Sequence, residues 1–219
     1  MKNLLVVFLF ICVACQAKEQ SADASSNFDP PVITAAQAAK LDTAYLASGC
    51  FWCTEAVFER VEGVYDVVSG YTGGDRPNPT YQQVSAGLTN HAEAVRVVYD
   101  PEVVDYESIV RMFFSSHDPT QLNRQGPDVG RQYRSGIYFR NANEQQISQR
   151  VKEELNSSGK YRKPIVTEIV AYKEFWEAED YHQNYYELHP NNSYIINVSK
   201  PKVDKFVKEY QSRLKSKYQ

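Results

Sequence analysis

The sequence predicts one α+β domain, in which a mixed sheet packs against helices as a two-layer sandwich. A chain of 219 residues is long enough to enclose one sizeable hydrophobic core. Its content of 42% hydrophobic and 23% charged residues is that of an ordinary globular protein. Segments with the two-residue period of strands alternate with segments of helical period and with long loops, which is the pattern of a sheet covered by helices. We place the domain at residues 40–219.

Five elements are predicted in the first half of this domain. A short buried strand at residues 43–47 leads into a helix at residues 51–60, and a strand at residues 63–71 follows. After a turn-rich loop, the sequence predicts a strand at residues 94–99 and an amphipathic helix at residues 106–115. The apolar residues that predict the two helices are Val57, Phe58 and Val61 in the first and Ile109, Val110, Phe113 and Phe114 in the second.

The second half of the domain begins with a long loop over residues 117–134. A strand at residues 136–140, a helix at residues 144–155 and a strand at residues 165–171 follow it. A last helix is predicted from apolar residues at helical spacing, and the lysines around it are expected to form a solvated face. These apolar residues are Val203, Phe206, Val207, Tyr210 and Leu214.

Residues 1–17 are predicted to be a secretory signal rather than part of the fold. A positive charge at Lys2 precedes an apolar run that is too short to span a membrane, and small residues follow. Cys15 comes after a Val-Ala pair, which resembles the lipobox of bacterial lipoproteins, where the cysteine receives lipid after cleavage. Cys12 departs from that motif, so an ordinary cleaved signal is the alternative. In both cases the protein is expected to be exported.

The composition after the signal indicates a tether and gives no sign of a nucleic-acid partner. Residues 18–39 are rich in Ser, Ala, Asp and Pro and are predicted to be flexible. The net charge of −3 offers no basic face for nucleic acid. We expect a monomer in the periplasm or cell envelope, lipid-anchored where Cys15 is acylated.

Cys50 and Cys53 are the only thiols of the predicted domain. Three residues apart, they share one face of a helix with β-carbons roughly 5–6 Å apart, whereas a disulfide needs about 3.5–4.5 Å. A bridge between them is therefore strained and easily reduced, and so short a loop is a poor structural staple. Cys50 follows a strand at the first turn of a helix, where free N–H groups are expected to lower its pKa. The pair is predicted to be redox-active, with Cys50 as nucleophile.

A Cys-x-x-Cys pair also occurs in zinc sites and in thioredoxin-like proteins. A zinc site needs two further ligands, and the four histidines have no paired spacing, so we predict no metal. A thioredoxin-like protein usually has Trp before the first cysteine and Gly-Pro between the two. Here Phe51 and Trp52 lie between them, either as an apolar socket for a methyl or thioether group or as core residues of a helix start.

Beyond the cysteines, the Gly-Cys-Phe-Trp-Cys-Thr-Glu run resembles the Gly-Cys-Phe-Trp signature of the A-type methionine sulfoxide reductases. Further segments also resemble motifs of that family and occur in the same order along the chain. Together they span about residues 44–186. The resemblance implies a ferredoxin-like core for the sandwich. The matching segments are residues 49–55, 70–74, 79–81, 87–101, 128–135 and 178–183.

The resemblance implies a reductase for the S epimer of methionine sulfoxide, free or in proteins, since each epimer has its own enzyme class. In the family mechanism Cys50 attacks the sulfoxide sulfur. Glu93 matches the carboxylic acid that protonates or hydrogen-bonds the sulfoxide oxygen, and burial is expected to raise its pKa. Tyr81 and Tyr133 match the hydroxyls that hold this oxygen.

Four more residues match substrate-binding positions of the family. Phe51 and Trp52 match its methyl pocket. Asp128 and His182 match motif positions for which we expect contacts to the substrate backbone or support of the tyrosines. Without the resemblance, Glu93 and Asp128 are expected to be exposed surface carboxylates.

The reaction leaves Cys50 as a sulfenic acid, which a second thiol must resolve. Many family members keep resolving cysteines in a C-terminal tail, but this chain has none there. Cys53 is then the only intramolecular candidate, and a thioredoxin-like protein is the expected reductant, with no bound cofactor.

Two other functions are alternatives to sulfoxide reduction. The first is a thioredoxin-like oxidoreductase that acts on protein disulfides. The second is a non-catalytic envelope lipoprotein that binds peptides through some of the 16 tyrosines. Both alternatives require that the matches at Glu93, Tyr81 and Tyr133 are accidental.

Overall fold

A computed structural model describes residue 34 and residues 38–219 of the chain. The signal predicted for residues 1–17, the candidate lipidation site Cys15 and most of the tether predicted for residues 18–39 lie outside the described residues. Within the described part of the chain, no helix has both the length and the apolar character needed to cross a membrane.

A six-stranded mixed sheet forms the centre of the domain, as the sequence predicted. Its strand order is β7-β6-β1-β3-β2-β8, and all neighbours are antiparallel except the parallel pair of β6 and β7. A separate two-stranded hairpin, β4-β5, lies within the predicted long loop. The strands are β1 (Asp42–Ser48), β2 (Val64–Thr72), β3 (Ala92–Tyr99), β4 (Arg124–Gln125), β5 (Asp128–Val129), β6 (Ser135–Phe139), β7 (Glu168–Ala171) and β8 (Phe175–Glu177).

Helices pack onto one face of this sheet. The first helix contacts β1, β2 and β3, the third contacts β1, and the fourth contacts β6 and β7, while the last helix packs on the first and third. A π-helical segment, Ile195–Ser199, runs directly into the last helix. The helices are α1 (Phe51–Glu59), α2 (Tyr81–Ser85), α3 (Tyr106–Ser116), α4 (Ala142–Ser157), α5 (Tyr185–Leu188) and α6 (Lys200–Tyr210).

The main hydrophobic core lies between the helices and the sheet, because side chains alternate between the two faces of each strand. Along β1, Leu46 joins the helix-side cluster together with Phe58, whereas Ala47 belongs to a smaller cluster. The same alternation occurs in β3, where Ala94 belongs to the smaller cluster and Val95 and Val97 belong to the main core. Glu93, which lies between Ala92 and Ala94, therefore faces α1.

Local hydrogen bonds explain where the observed elements differ from the predicted ones. The Asn141 side chain accepts the Glu144 N–H at 3.0 Å and caps α4, so this helix begins two residues earlier than predicted. The predicted strand at residues 165–171 begins only at Glu168, since the Ile165 N–H donates to the Asn156 side chain at 2.8 Å. The sequence did not predict α2, α5, β4, β5 or β8, all of which have five residues or fewer.

Glu55 on α1 is a buried carboxyl group that is only 1% exposed. Burial raises the pKa of Glu55 well above its ordinary value, and the charge of Glu59 adds to this rise. Between the ordinary pKa and the raised one, the folded protein binds more protons than the unfolded chain. The free energy of unfolding therefore falls as pH rises through this window.

Glu55→Gln is expected to weaken this pH dependence. Urea unfolding at pH 5 and pH 8 should show similar stability for the variant and the wild type at pH 5, and a more stable variant at pH 8, by about 1 kcal/mol or more. The exposed Glu62→Gln is the matched control. Equal losses of stability between pH 5 and pH 8 in wild type and Glu55→Gln would contradict the assignment.

Candidate active site

Cys50 sits at the junction between β1 and α1, where the backbone turns sharply. Gly49 has φ +98°, a conformation that side chains with a Cβ rarely adopt. A Cβ on Gly49 would also lie 2.6 Å from the Cβ of Gln125, so the β4-β5 hairpin packs directly on this turn. Cys50 is the N-cap residue of α1 and is only 6% exposed. The turn thus fixes the thiol at the start of the helix, as predicted.

The predicted low pKa of Cys50 is wrong for the free protein. Burial raises the pKa of the Cys50 thiol, and the neighbouring Cys53 and Glu93 raise it further. The first N–H of the helix does not serve the thiol, because the Phe51 N–H donates to Glu93 Oε2 at 3.1 Å. The carboxyl group of Glu93 therefore occupies the position at the helix N-terminus where the Cys50 thiolate was expected.

Cys53 lies beside Cys50, and both are free, buried thiols. The Cys53 thiol donates to Ser199 Oγ with an Sγ–Oγ distance of 3.1 Å. The hydrogen bond with Cys50 lowers the pKa of Cys53, and the charge of Lys202 and the Ser199 hydroxyl lower it further against the effect of burial. The second cysteine, rather than the first, is therefore the more acidic of the pair.

A cavity of about 390 Å³ opens beside the Cys50 thiol. Seven residues that the sequence singled out line it, although they come from β3, β5 and the starts of α1 and α2 and from the loop before β6. Cys53 and His182 lie outside the lining. The lining residues are Cys50, Phe51, Trp52, Tyr81, Glu93, Asp128 and Tyr133, together with Asn192, Ser193 and Tyr194.

Glu93 supplies an acid that keeps its proton at neutral pH. The residue is 2% exposed and faces α1 from β3. Burial raises the pKa of Glu93 to about 8, although the hydrogen bond from the Phe51 N–H opposes the rise. The alternative expectation of an exposed surface carboxylate is therefore wrong for Glu93.

Tyr81 and Tyr133 bring two protonated hydroxyl groups to the cavity. Burial raises the pKa of Tyr81 to about 12 and moves that of Tyr133 well above its usual range. Glu179 fixes the start of α2, because one carboxyl oxygen accepts the Tyr81 N–H at 2.9 Å and the other accepts the Tyr71 hydroxyl at 2.9 Å. Both tyrosines can donate hydrogen bonds at any physiological pH.

His182 lies behind the cavity wall. Burial lowers its pKa to about 4, so the ring is neutral. Its Nδ1 accepts a hydrogen bond from Trp52 Nε1 at 3.2 Å, and its ring centroid is 4.9 Å from that of Phe51 and 4.4 Å from that of Tyr81. His182 thereby orients the aromatic wall of the site.

Tyr194 is a site residue that the sequence did not predict. This residue precedes the π-helical segment, and its hydroxyl donates to Asp128 Oδ2 at 2.7 Å. When this hydroxyl turns from Asp128 to Cys50, it can donate to the thiolate, which lowers the pKa of Cys50 in opposition to burial. One tyrosine among 16 in a run without a recognised motif carries no signal of its own in the sequence. Only the fold shows that it faces the nucleophile.

Comparison with known proteins identifies the family to which this constellation belongs. The model of the family described as peptide methionine sulfoxide reductase matches residues 42–215. The chain belongs to this family. It is 47% identical over 188 residues to peptide methionine sulfoxide reductase MsrA 1 of Rhodopirellula baltica, covering 86% of this chain and 97% of the relative. It is 48% identical over 173 residues to MsrA of Nitratiruptor sp., covering 79% of this chain and 98% of the relative.

Solved structures agree with this assignment. Methionine sulfoxide reductase A of Corynebacterium diphtheriae is 39% identical with a TM-score of 0.63, covering 70% of this chain and 77% of that one. Reduced Mxr1 of Saccharomyces cerevisiae is 36% identical with a TM-score of 0.64, covering 70% and 88%. The resemblance predicted from the sequence is confirmed. The protein is an oxidoreductase that reduces peptide methionine sulfoxide, and neither alternative function is needed.

Proposed function

We propose that the protein reduces the S epimer of methionine sulfoxide, in proteins and as the free amino acid, with Cys50 as the nucleophile. The observation that carries this proposal is the convergence of a thiol, a protonated carboxylic acid and tyrosine hydroxyls on one cavity with aromatic walls. A sulfoxide needs these groups together, because its sulfur is attacked while its oxygen takes a proton.

In the proposed reaction the Cys50 sulfur attacks the sulfoxide sulfur. Glu93 donates its proton to the sulfoxide oxygen, and the hydroxyls of Tyr81 and Tyr133 hydrogen-bond that oxygen as charge builds on it. The oxygen passes to Cys50, which becomes a sulfenic acid, and methionine leaves. The proton that the Cys50 thiol loses on attack replaces, through solvent, the one that Glu93 has given.

The walls of the cavity supply the expected substrate contacts. Phe51 and Trp52 offer apolar surface for the substrate methyl group. Trp52 is held in place by the hydrogen bond to His182 and by stacking on Tyr185, with ring centroids 3.8 Å apart. Asp128, which Tyr194 holds at the cavity edge, is placed to accept hydrogen bonds from the substrate backbone.

Resolution of the sulfenic acid falls to Cys53 in this proposal. Its thiol hydrogen-bonds that of Cys50 in the free protein, and it is the more acidic of the two. A disulfide between residues three apart is strained, so a thioredoxin-like dithiol protein is a suitable reductant and no bound cofactor is required. The partners are this reductant and proteins that contain oxidised methionine.

The test compares turnover of separated S and R sulfoxides with dithiothreitol, followed by mass spectrometry after one turnover without reductant. Wild type is expected to reduce the S epimer at least ~100-fold faster than the R epimer and to end as a Cys50–Cys53 disulfide. Cys53→Ser is expected to release one methionine and stop at a sulfenic acid that dimedone traps. Activity on the R epimer alone, or an intramolecular disulfide in Cys53→Ser, would overturn the proposal.

We infer a ferredoxin-like core from the antiparallel order β6-β1-β3-β2 and the chain order β1-α1-β2-β3-α3-β6, which is that of the split βαβ motif. Strands β7 and β8 extend this core at its two edges.

The organisation of the whole chain is also a proposal. We propose that the enzyme works in the periplasm or cell envelope as a monomer. It would have a signal at residues 1–17, a tether at residues 18–39 and a reductase domain at residues 40–219. Acylation of Cys15 would anchor it to the membrane. The charged start, apolar run and Val-Ala-Cys triplet of the sequence support this arrangement.

A further inference from the structure

Lys202 departs from the solvated face that the sequence predicts for the lysines of the last helix. It lies in the first turn of α6, three residues after Ser199, and its ammonium nitrogen is buried. This nitrogen has no hydrogen-bond partner among the described residues. A buried, unpaired ammonium is costly, so a nearby group that becomes negatively charged during the reaction would offset the cost.

Among the described residues, the cleft around Lys202 contains little negative charge. The residue lines a cleft of about 940 Å³ that contains one acidic side chain, Asp118. That carboxylate already accepts hydrogen bonds from the Thr120 and Gln121 side chains at 2.7 and 2.9 Å. The cleft therefore keeps a positive potential around the ammonium group. Its basic residues are Arg124, Lys160, Arg162, Lys163, Lys202 and Lys205.

Cys53 is the group that can accept this charge. Its sulfur contacts Ser199 Oγ, one helical turn before Lys202 on the same side of the site. The charge of Lys202 favours the Cys53 thiolate, whereas that of Asp128 opposes it. Among the described residues that act most strongly on Cys53, only Lys202 is a cation. These groups are Cys50, Glu93 on β3, Asp128 on β5, Tyr194, Ser199 and Lys202 on α6.

We propose that Lys202 is a positioning residue for the resolving step, in which its ammonium group holds Cys53 as the thiolate that attacks the Cys50 sulfenic acid. The inference rests on the proposed role of Cys53. A bond forms between the two sulfur atoms and the S–O bond of the sulfenic acid breaks. Hydroxide leaves and takes a proton from Glu93 or solvent, so the products are the disulfide and water. The Ser199 hydroxyl, which accepts from the thiol, donates to the thiolate instead.

The test separates the two chemical steps in one turnover with an S-sulfoxide peptide and no reductant. Rapid-quench mass spectrometry follows methionine release and disulfide formation from pH 6 to pH 9. In Lys202→Met, the ratio of the disulfide-formation rate to the methionine-release rate is expected to fall about tenfold at pH 7, and its pH profile to move up by about one unit. Lys202→Arg, which keeps the charge, is expected to recover most of the ratio. Lys208→Met, an exposed lysine of the same helix outside the cleft, is the control and is expected to match wild type.

The outcomes distinguish this inference from the function on which it rests. If wild type forms no Cys50–Cys53 disulfide, the resolving role of Cys53 and the role of Lys202 fail together. If wild type forms the disulfide and Lys202→Met keeps the same ratio and pH profile, only the role of Lys202 is overturned. Equal losses in Lys202→Met and Lys202→Arg would mean that packing rather than charge is responsible, and would also overturn it. Methionine release by each variant shows that its pocket is folded.

Discussion

Replacing Cys50 by serine is expected to lower turnover of methionine sulfoxide by a factor on the order of 10⁴ or more. The hydroxyl of serine is a far weaker nucleophile than a thiol, and no base in the cavity is placed to activate it, since Glu93 holds its own proton at neutral pH. Turnover of the S sulfoxide with dithiothreitol measures the effect.

Cys53→Ser is the matched control for Cys50→Ser, because it removes the neighbouring thiol of the same helix turn. Without reductant, Cys53→Ser should still release one methionine per protein, and Cys50→Ser should release none. A burst of methionine from Cys50→Ser would show that another residue is the nucleophile. Circular dichroism and the melting temperature of both variants check that the fold is intact.

Glu93→Gln is expected to reduce kcat/KM by about 10²–10³-fold, the range that a general acid contributes. The amide keeps the size of the side chain and can donate a hydrogen bond to the sulfoxide oxygen, but it cannot give up a proton. Because the pKa of Glu93 is raised to about 8, the active acid form of the wild type is lost as pH rises through this value.

The pH profile of kcat/KM separates this role from a structural one. Wild-type activity should rise with pH up to about pH 8 and then level off, because the gain in Cys50 thiolate is offset by loss of the Glu93 proton. The low activity of Glu93→Gln should continue to rise with pH as Cys50 loses its proton. A Glu93→Gln variant whose activity also levels off near pH 8 would assign the levelling to another group. Glu144→Gln, which changes a buried carboxyl group at the start of α4 far along the chain from the site, controls for the exchange of a buried carboxyl group for an amide.

Much of the candidate site could be predicted because its residues lie in recognisable runs. The helix after Gly49 follows from periodicity, as does a strand predicted to begin one residue after Glu93. The family resemblance assigned Glu93, Tyr81 and Tyr133 to one site. The cavity confirms that these distant residues meet. Periodicity also found β1, β2, β3, α1 and α3 with small errors at their ends. The last helix, predicted from apolar residues up to Leu214, ends at Tyr210, because Leu214 is extended and pairs with Val61.

The properties that sequence reasoning missed depend on burial and on contacts between distant segments. The pKa of Cys50 was predicted from the helix terminus alone, but desolvation outweighs that effect and Glu93 takes the first N–H group. Tyr194 and Lys202 act through segments that fold back onto the cysteines from the C-terminal part of the chain. Nothing in the local pattern of residues 191–202 shows which side chains turn inward.

The π-helical segment Ile195–Ser199 sets the angle between two side chains that serve different sulfur atoms. Tyr194 and Ser199 are five residues apart, and in a regular α-helix, at about 100° per residue, their side chains would diverge by about 140°. Here the Lys200 N–H donates to the Ile195 carbonyl, five residues back. This wider turn reduces the angle between the side chains of Tyr194 and Ser199. Tyr194 can then reach Cys50 while Ser199 reaches Cys53. Deleting one residue from this turn would restore the ordinary helical pitch and rotate one of the two hydroxyls away from its sulfur.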